Sequence, residues 1–591
     1  MPSRQEFRVT LRFLSLISLA LLWSCGSGRT GPEPTTPESS APLTSDAEGP
    51  LKHRPTPTSP EITPTDLMTR LYIFADDSML GREAGTEGNV RGTNYLAAEA
   101  QRIGLLPGGE NGSFFQTVPM INRAADSSST LTIDGTRLEL NKDFLPLPLY
   151  PSFLPYGSQL QAENPQAFFA GRLGDSLTPT LLARSAGKLV VFAPALDEAG
   201  KPVPTLSGKG PPPAVPGAAG VAIATLDLVP PPQLDFLRQP QAVVTTTVEE
   251  TSRTPLGLLI SSAVAERLFG ASLATLKPGT TGKPLRGHAK FTGTPAIAPA
   301  RNVVAILPGS DPGLKGEYVA IGSHNDHLGV QTGAPAFDHD SLRLFNAMSR
   351  PEGQNKPPKP LTPADSATVK RQLDSLRRVR PARRDSIFNG ADDDGSGSIA
   401  MLEIAEAMMR DRPKRSILFV WHTAEEKGLY GSQWFTDHPT VPRDSIVAQL
   451  NMDMVGRGRK SDTERGGPNA LGLVGSRRLS TELGDLIERV NGGRQPPFEI
   501  DYTYDANGHP DNVYCRSDHY MYARYGIPIA FFSSGIHRDY HMVTDEPQYI
   551  DYQRMARVAA FIRDVARGVA DLDHRPVVDK PKLNPKGPCQ Q

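Results

Sequence analysis

Cysteine is scarce in this sequence, and its scarcity limits the kinds of scaffold and site that the chain can build. Three cysteines occur among 591 residues, at positions 25, 515 and 589. So few cysteines exclude a disulfide framework, and nothing indicates that Cys515 and Cys589, which lie far apart in sequence, pair with each other. They also exclude a cysteine-rich zinc site, so any metal must be bound by His, Asp and Glu.

The chain also lacks an excess of charge of either sign. It has 63 Lys plus Arg against 64 Asp plus Glu, which leaves no electrostatic basis for capturing nucleic acid. Its length is enough for two or three domains that bury a full-sized core. We therefore expect a multidomain protein without a nucleic-acid partner.

Residues 1–25 have the pattern of a lipoprotein-type secretory signal. Arginines precede an apolar run, 13–23, that is too short to span a bilayer. Residues 22–26 look like a bacterial lipobox with Cys25 as the lipidated residue, although Trp23 is bulkier than that pattern prefers. We predict an exported protein that is either secreted or anchored by a lipid on Cys25 at the outer membrane or the periplasmic face of the cell envelope.

Composition divides the rest of the chain into segments. Residues 26–63 are rich in Pro, Ser, Thr and Gly, which is typical of a disordered tether. Between 149 and 299, short β-type runs broken by Pro and Gly predict a small β-rich domain inserted into a larger one. The alternative, that these are strands of the main sheet, is disfavoured by the frequent proline. The larger domain then comprises 64–148 and 300–573, and a C-terminal tail, 574–591, follows it.

From Arg301 onward, apolar strand patterns alternate with helical ones. This alternation predicts an α/β fold, a mostly parallel mixed sheet sandwiched by helices. A polar insertion rich in Arg and Pro interrupts it at 331–388, with one predicted helix after Pro363. We expect this insertion to form a lid or a wall near the ligand crevice.

The acidic run from Asn389 to Gly397, NGADDDGSG, leads directly into an apolar helical pattern. Carboxylates this close repel one another, so the run indicates either a bound cation or a solvated turn, and the residues alone are equally consistent with both. An EF-hand-like calcium loop beginning at Asp392 would use Glu403 at its last position. The helical pattern carries Glu403 away from that loop, and we discount calcium.

Further polar groups follow predicted strands, at the edge where open α/β sheets place their ligand crevice. Taken singly, each has a structural explanation, such as a core histidine, a solvated turn or a helix N-cap. Together with the acidic run they favour a metal site. They are His324 with Asp326, the neighbouring Glu425 and Glu426, Asp453, and His541.

In this order, the motifs resemble those of the M28 family of zinc metallopeptidases, which comprises two-metal aminopeptidases and their relatives. The matching motifs are His-x-Asp, Gly-Ala-Asp-Asp-Asp-Gly-Ser-Gly, Ala-Glu-Glu-x-Gly-Leu-x-Gly-Ser, Asn-x-Asp-Met-Val-Gly and Asp-Tyr-His. Residues 187–227 resemble the protease-associated domain that members often carry as an insert. The long insertion at 331–388 departs from the smaller members but interrupts none of the motifs.

The resemblance implies a centre with two zinc ions. Asp393 would bridge both ions, one completed by His324 and Asp453 and the other by Glu426 and His541. Two divalent cations, three carboxylates and a bridging hydroxide sum to zero charge, which suits a partly desolvated crevice.

The resemblance also implies catalytic roles. Glu425 would be the general base that takes a proton from the zinc-bridging water and returns it to the leaving amine. Asp326 would orient His324, and Tyr540 and Arg516 would stabilise the oxyanion. The remaining histidines are predicted to have structural or supporting roles: His327, His422, His519 and His537.

The function implied by the resemblance is that of a zinc exopeptidase that removes N-terminal residues from peptides. Two alternatives stay open: a carboxypeptidase or glutaminyl-cyclase-like enzyme on the same scaffold, and a binding protein of this fold without chemistry. The last is disfavoured because no ligand of the motif set is replaced. Neither the preferred N-terminal residue nor the oligomeric state follows from the sequence.

Overall fold

The computed structural model describes the chain from residue 48 onward, with short gaps. The predicted signal segment 1–25, with Cys25, lies outside the described residues. Within the described part of the chain, no helix has the length and apolar character needed to cross a membrane. The described residues are 48–147, 160, 163–197, 199–203, 215–245, 255–332, 335–582, 584, 585, 589 and 591.

A nine-stranded sheet forms the centre of the larger domain. Its outer strands pair partly antiparallel, and its middle is parallel, so the predicted mixed sheet is confirmed. The four parallel middle strands are, in spatial order, Ser416–His422, Tyr318–His324, Ile446–Met452 and Ile529–Ser533. The outer strands are Leu106–Pro107, Phe115–Val118 and Ala300–Leu307 on one side, and Ala470–Val474 and Glu499–Asp501 on the other.

Helices cover both faces of this central sheet. Successive residues of a strand point to opposite faces, so Val319 and Ile321 join one core while Ala320 joins the other. Burial on both faces explains the nearly continuous apolar runs of these strands. The helices of the first face are Pro64–Phe74, Glu87–Ile103, Gly397–Met408, Thr481–Gly492 and Tyr552–Ala570, and those of the second are Tyr430–Asp437 and His519–Ala523.

A second, six-stranded sheet, which we call the inserted sheet, is built from residues between two strands of the central sheet, Phe115–Val118 and Ala300–Leu307. Its apolar side chains form cores of their own. The resemblance of 187–227 to a protease-associated domain stays a prediction. In spatial order the strands are Thr281–Pro284, Gln166–Arg172, Leu189–Ala193, Gly220–Ile223, Leu256–Ile260 and Phe144–Pro146, and the helices beside them are Pro179–Ser185, Pro231–Arg238 and Ser262–Phe269.

Strand pairing in this β-rich region begins before the predicted boundary at 149. Phe144–Pro146 already pairs with Leu256–Ile260, and two small three-stranded sheets also include earlier residues. The change in composition near 149 therefore does not coincide with the change in strand pairing. The small sheets are Gln241–Val244, Met120–Ala125 and Phe291–Pro295, and Arg286–His288, Thr130–Ile133 and Thr136–Arg137.

The insertion at 331–388 contains the predicted helix, Pro363–Val379, and a second helix that was not predicted, His339–Ser349. Arg377 and Arg380 each lie 2.6 Å from the carboxylate of Asp340, so charged contacts hold the two helices together. The remaining elements are the 3₁₀ turn Gly353–Asn355 and the strand pairs Gly329–Val330 with Ile387–Phe388 and Phe337–Asp338 with Arg384–Asp385.

Cys515 and Cys589 form a disulfide, with their Cα atoms 5.9 Å apart. The expectation that they do not pair was wrong, because separation along the chain says nothing about where the tail returns. Gln591 adds to this attachment: its side chain accepts a hydrogen bond from the Tyr514 N–H at 2.9 Å and donates one to the Tyr504 carbonyl at 2.5 Å.

The prediction of a disordered tether over 26–63 is wrong for residues 48–63. The Gly49 N–H donates to the Gln548 carbonyl at 2.7 Å, and the Ser59 hydroxyl donates to the Asp66 carboxylate at 2.9 Å. These contacts are polar, so a low content of large apolar residues did not reveal them.

Candidate metal centre

The candidate residues lie at the carboxyl edge of the central sheet. His324 is the last residue of its strand, and Asp453 directly follows the neighbouring strand. Glu425 and Glu426 follow the strand that ends at His422. Because parallel strands end at the same edge, these side chains converge there although they lie far apart in sequence.

Asp393 lies at the middle of the group. Its Oδ1 is 3.0 Å from His324 Nε2, and its Oδ2 is 3.1 Å from His541 Nε2. The two oxygens of one carboxylate thus face different imidazoles. A carboxylate that bridges two metal ions needs this arrangement.

His324 provides a test of whether a cation fits. Its Nδ1 lies 3.0 Å from the Asp326 carbonyl, which can only accept a hydrogen bond, so Nδ1 carries the proton. Nε2 then offers a lone pair towards the carboxylates of Asp393 and Asp453, the latter 3.8 Å away, and this buried nitrogen has no hydrogen-bond partner. A cation would satisfy this lone pair and both carboxylates.

The other half of the group is formed around Glu426. Its Oε2 lies 3.1 Å from His541 Nε2, and its Oε1 lies 2.7 Å from His327 Nδ1. His327 was predicted only to have a structural or supporting role, and the sequence offered no partner for it. Its contact with Glu426 puts it directly beside the candidate ligands.

The donor sets suit two metal ions. His324, Asp393 and Asp453 bring ligand atoms within 4.8 Å of one another, as do His327, Asp393 and Glu426. Imidazole and carboxylate donors suit a divalent transition metal. Asp393 belongs to both sets, so the residues fit a pair of ions that share it. The second set contains His327 and not the predicted His541, whose Nε2 nevertheless lies 3.1 Å from both Asp393 and Glu426.

The two other carboxylates of the acidic run hold the backbone. Asp394 accepts hydrogen bonds from the N–H groups of Gly397 at 2.9 Å and His324 at 3.1 Å. Asp392 accepts one from the Gly456 N–H at 2.7 Å. The middle aspartate is therefore the one left facing the imidazoles of His324 and His541.

Asp545 supports the acidic run from a distant part of the chain, and the sequence assigned it no role. Its carboxylate accepts the N–H groups of Asp392 at 3.0 Å and Asp393 at 3.1 Å. Only its position shortly after His541 could have drawn attention to it.

Glu425 and Glu426 are adjacent but have opposite electrostatic surroundings. Burial would raise the pKa of Glu426, but His541 and His327 lower it to about 2. Burial raises the pKa of Glu425 well above its usual range despite His324, and Glu426 and Asp453 raise it further. Glu426 therefore suits the role of an anionic ligand, and Glu425 suits the role of a group that accepts and returns a proton.

Asp326 contacts both His324 and Glu425. Its carbonyl oxygen faces His324 Nδ1, whereas its carboxylate accepts the Glu425 N–H at 3.1 Å. The predicted orienting contact to His324 is thus made by the backbone, since the carboxylate lies 3.8 Å from Nδ1.

A cavity of about 460 Å³ opens beside these residues. Arg516 and Tyr540 line it together, and Arg516 Nη2 donates a hydrogen bond to the Tyr540 hydroxyl oxygen at 3.3 Å. The Tyr540 ring stacks on the ring of His541, with centroids 3.8 Å apart. Candidate ligands also line this cavity: Asp393, Asp453 and His541, with Glu425 beside them.

The insertion at 331–388 forms part of the cavity wall. Pro351, Glu352 and Lys359 line it.

The other three histidines that were predicted to have structural or supporting roles lie outside the ligand group. His422 Nε2 is 3.0 Å from the Tyr522 hydroxyl, the His519 ring stacks on Phe531, and His537 Nε2 is 3.1 Å from Asp392.

A further acidic group joins the insertion to the body of the chain. His339, Asp385 and Glu546 also bring potential ligand atoms together. Arg383 lies 2.9 Å from Glu546, and burial raises the pKa of Glu546 to about 8. The Arg383 guanidinium therefore offsets part of the negative charge of this group.

Comparison with known proteins agrees with this geometry. Residues 365–566 match the sequence model of peptidase family M28. Residues 365–566 are thus similar to M28 peptidases. The matched residues include Asp393, Glu425, Glu426, Asp453 and His541, whereas His324 precedes them.

Curated proteins with similar sequences include leucine aminopeptidases. Leucine aminopeptidase 1 of Paracoccidioides brasiliensis (strain Pb03) is 28% identical over 249 residues, 40% of this chain and 58% of that protein. Leucine aminopeptidase 1 of Coccidioides posadasii (strain C735) is 36% identical over 149 residues, 24% of this chain and 36% of that protein. The matches thus span 58% or less of these relatives.

Solved structures of bacterial aminopeptidases are also similar. The aminopeptidase from Aneurinibacillus sp. strain AM-1 matches with a TM-score of 0.44 and 17% identity, over 88% of this chain and 97% of that chain. A zinc aminopeptidase from Bacillus subtilis matches with a TM-score of 0.42 and 16% identity, over 86% of this chain and 95% of that chain.

Proposed function

We propose that this protein is an exported, zinc-dependent aminopeptidase that removes N-terminal residues from peptides. The observation that carries the proposal is the position of Asp393, whose two carboxylate oxygens face His324 and His541. Asp453 and Glu426 complete two ligand sets around it. Glu425 lies at the same cavity and also comes close to His324 and Glu426, but it belongs to neither of the two sets that contain Asp393.

Zinc ions held by these residues would polarise the scissile carbonyl and lower the pKa of water. Asp393 would be shared by the ions. His324 and Asp453 would bind one ion, and His541 and Glu426 the other. The lone pair of His324 is directed by the Asp326 carbonyl, and Asp453 is fixed by a hydrogen bond of 2.8 Å from the Ser517 hydroxyl.

Glu425 would move the proton in this reaction. It accepts a proton from the attacking water and donates it to the leaving amine, which requires a carboxylate with a raised pKa. The hydrogen bond from the Glu425 N–H to Asp326 fixes the backbone of this residue. Arg516 and Tyr540, which line the same cavity, would stabilise the developing oxyanion.

Cleavage at the amino end is supported by the names of the relatives. Those from P. brasiliensis and C. posadasii are named leucine aminopeptidases, and a similar solved structure from B. subtilis is named a zinc aminopeptidase. We extend both the direction of cleavage and the metal from these proteins to this chain.

Export is supported by the disulfide between Cys515 and Cys589 as well as by the signal pattern of residues 1–25. Disulfides persist in oxidising compartments and are rare in reducing ones. Fractionation of cells that express the full chain or Cys25→Ser tests the anchor. The wild type should remain with membranes, whereas the variant should be released, and equal distribution would contradict lipidation.

Peptides blocked at one end test the activity. The zinc-loaded protein should shorten a free peptide and a C-terminally amidated peptide from the amino end, and leave an N-acetylated peptide intact. A carboxypeptidase would show the reverse preference, and a glutaminyl cyclase would close N-terminal glutamine without releasing a residue. Mass spectrometry of the products distinguishes these outcomes.

Glu425→Gln tests the proton-transfer role. The variant should keep its metal content and lose hydrolysis by about 10²–10⁴-fold, because the amide accepts no proton. Metal analysis and kcat are measured on the same sample. Retention of more than a tenth of the wild-type kcat would contradict the assignment.

A further inference from the structure

The 3₁₀ turn Gly353–Asn355 of the insertion lies directly against the segment that carries Tyr540 and His541. Gly353 is buried and has a φ of +53°, and a Cβ at this position would lie 2.3 Å from the Tyr540 carbonyl oxygen. The backbones therefore pack too closely for a side chain. Among the residues of the turn, this position requires glycine.

Hydrogen bonds fix the turn to this segment. The Gln354 N–H donates to the Tyr540 carbonyl at 3.1 Å, and the Gln354 side chain donates to the His541 carbonyl at 2.5 Å. His541 has a φ of +57°, a conformation that a residue with a side chain keeps only when its surroundings enforce it. The hydrogen bonds from the turn help to hold His541 in this conformation.

Asn355 connects the same turn to Arg516. Its Oδ1 accepts a hydrogen bond from Arg516 Nη1 at 3.0 Å, and its Nδ2 donates to Glu352 at 2.9 Å. Arg516 in turn donates to the Tyr540 hydroxyl through Nη2. The guanidinium is thus held at one end by the insertion and presents the other end to the cavity.

We propose that the turn Gly353–Asn355 is a positioning element of the metal centre, which fixes Arg516 through Asn355 and the Tyr540–His541 backbone through Gly353 and Gln354. This proposal rests on the proposed function for its kinetic effect. The turn itself contacts none of the candidate ligand atoms. It acts through its contacts with Arg516, Tyr540 and His541.

The contact of Asn355 with Arg516 and the contact of the turn with the Tyr540–His541 backbone have different consequences. A long arginine side chain loses much rotamer freedom when it is fixed, and Asn355 removes that freedom before substrate binds. Loss of Asn355 should therefore lower kcat and leave KM and metal content nearly unchanged. Displacement of the Tyr540–His541 backbone should instead weaken metal binding, because His541 is a candidate ligand.

Asn355→Ala tests the contact with Arg516. We expect kcat to fall about tenfold, the effect of losing one hydrogen bond to a charged group. The control is Lys370→Ala, at an exposed position of the helix Pro363–Val379 in the same insertion, and it should match the wild type. In an Arg516→Ala background, Asn355→Ala should have almost no further effect.

A merely structural role for Asn355 would lower kcat by the same factor in both backgrounds. That result would overturn the proposal, as would an Asn355→Ala enzyme within twofold of the wild-type kcat. Thermal unfolding midpoints of all variants establish that they are folded.

Gly353→Ala tests the backbone contact with a readout that does not depend on activity. We expect its affinity for the zinc ion that His541 would bind to fall about 10–100-fold, the effect of disturbing the support of a ligand. Gly316→Ala is the matched control, because a Cβ there meets nothing within 4 Å. Competition with a chelator measures the zinc affinity of both variants.

The outcomes separate failure of the proposal from failure of the proposed function. If the wild type releases no N-terminal residue, the proposed function fails, and zinc affinity still tests the turn. Equal zinc affinities for folded Gly353→Ala and Gly316→Ala would overturn the positioning role of Gly353. If Gly353→Ala does not fold, Gln354→Ala replaces it, with the same expectation of weaker zinc binding.

Discussion

The central sheet and the inserted sheet have similar interiors and different edges. Both have parallel strands with buried apolar residues on both faces. At the carboxyl ends of the central strands stand His324 and, one position beyond its strand, Asp453, whereas the inserted strands end at Ala193, Ile223 and Ile260. Parallel strands therefore provide a crevice, and the residues at their ends decide whether it can perform chemistry.

The largest effect, a loss of metal binding, should follow from changing Asp393, around which the side chains at the carboxyl edge of the central sheet converge. Asp393→Asn should weaken binding of the metal pair by more than about a hundredfold, since even residues that only support a ligand cost about 10–100-fold. Asp392→Asn is the matched control, because it keeps an oxygen for the Gly456 N–H. Zinc titration with metal analysis compares them, and equal losses would contradict the assignment of Asp393.

Smaller losses, of stability and of activity, should follow from a change in the loops beside the same edge of the central sheet. Cys589→Ser removes the disulfide to Cys515, which directly precedes Arg516 in the cavity wall. We expect the free energy of unfolding to fall by about 2–4 kcal/mol. The value of kcat/KM should fall several-fold, because the attachment of the loop is lost. Denaturant unfolding and peptide assays measure these changes, and an unchanged kcat/KM would show that the loop holds its position without the tail.

The smallest effect, a loss of stability without a loss of activity, should follow from a change at the edge of the inserted sheet. Ser261 follows the strand Leu256–Ile260, and its hydroxyl accepts the Val264 N–H at 3.3 Å as a helix cap. Ser261→Ala should reduce stability by about 1 kcal/mol and leave kcat unchanged. Unfolding and peptide assays check this. A change in kcat of more than twofold would mean that the inserted sheet contributes to the reaction.

Residues at strand ends could be predicted from the sequence because a polar residue after a buried apolar run has few explanations. His324, Asp393, Glu426, Asp453 and His541 were all named on that basis and on motif resemblance. The central sheet followed from the alternation of strand and helix patterns, which reflects burial on both faces.

Contacts between loops could not be predicted in this way. Asp545 bonds to the acidic run, Cys589 pairs with Cys515, and Asn355 bonds to Arg516, each across more than 70 positions of the chain. None of these residues belongs to a periodic pattern, so composition and spacing give no information about their partners. The same holds for the packed segment 48–63, whose contacts are polar.

The most direct test of the account is anomalous diffraction at the zinc absorption edge from crystals of the zinc-loaded protein. The account predicts two peaks at the carboxyl edge of the central sheet, one beside His324 and Asp453 and the other beside His541 and Glu426, with Asp393 in contact with both. A single peak, or peaks away from Asp393, would contradict it.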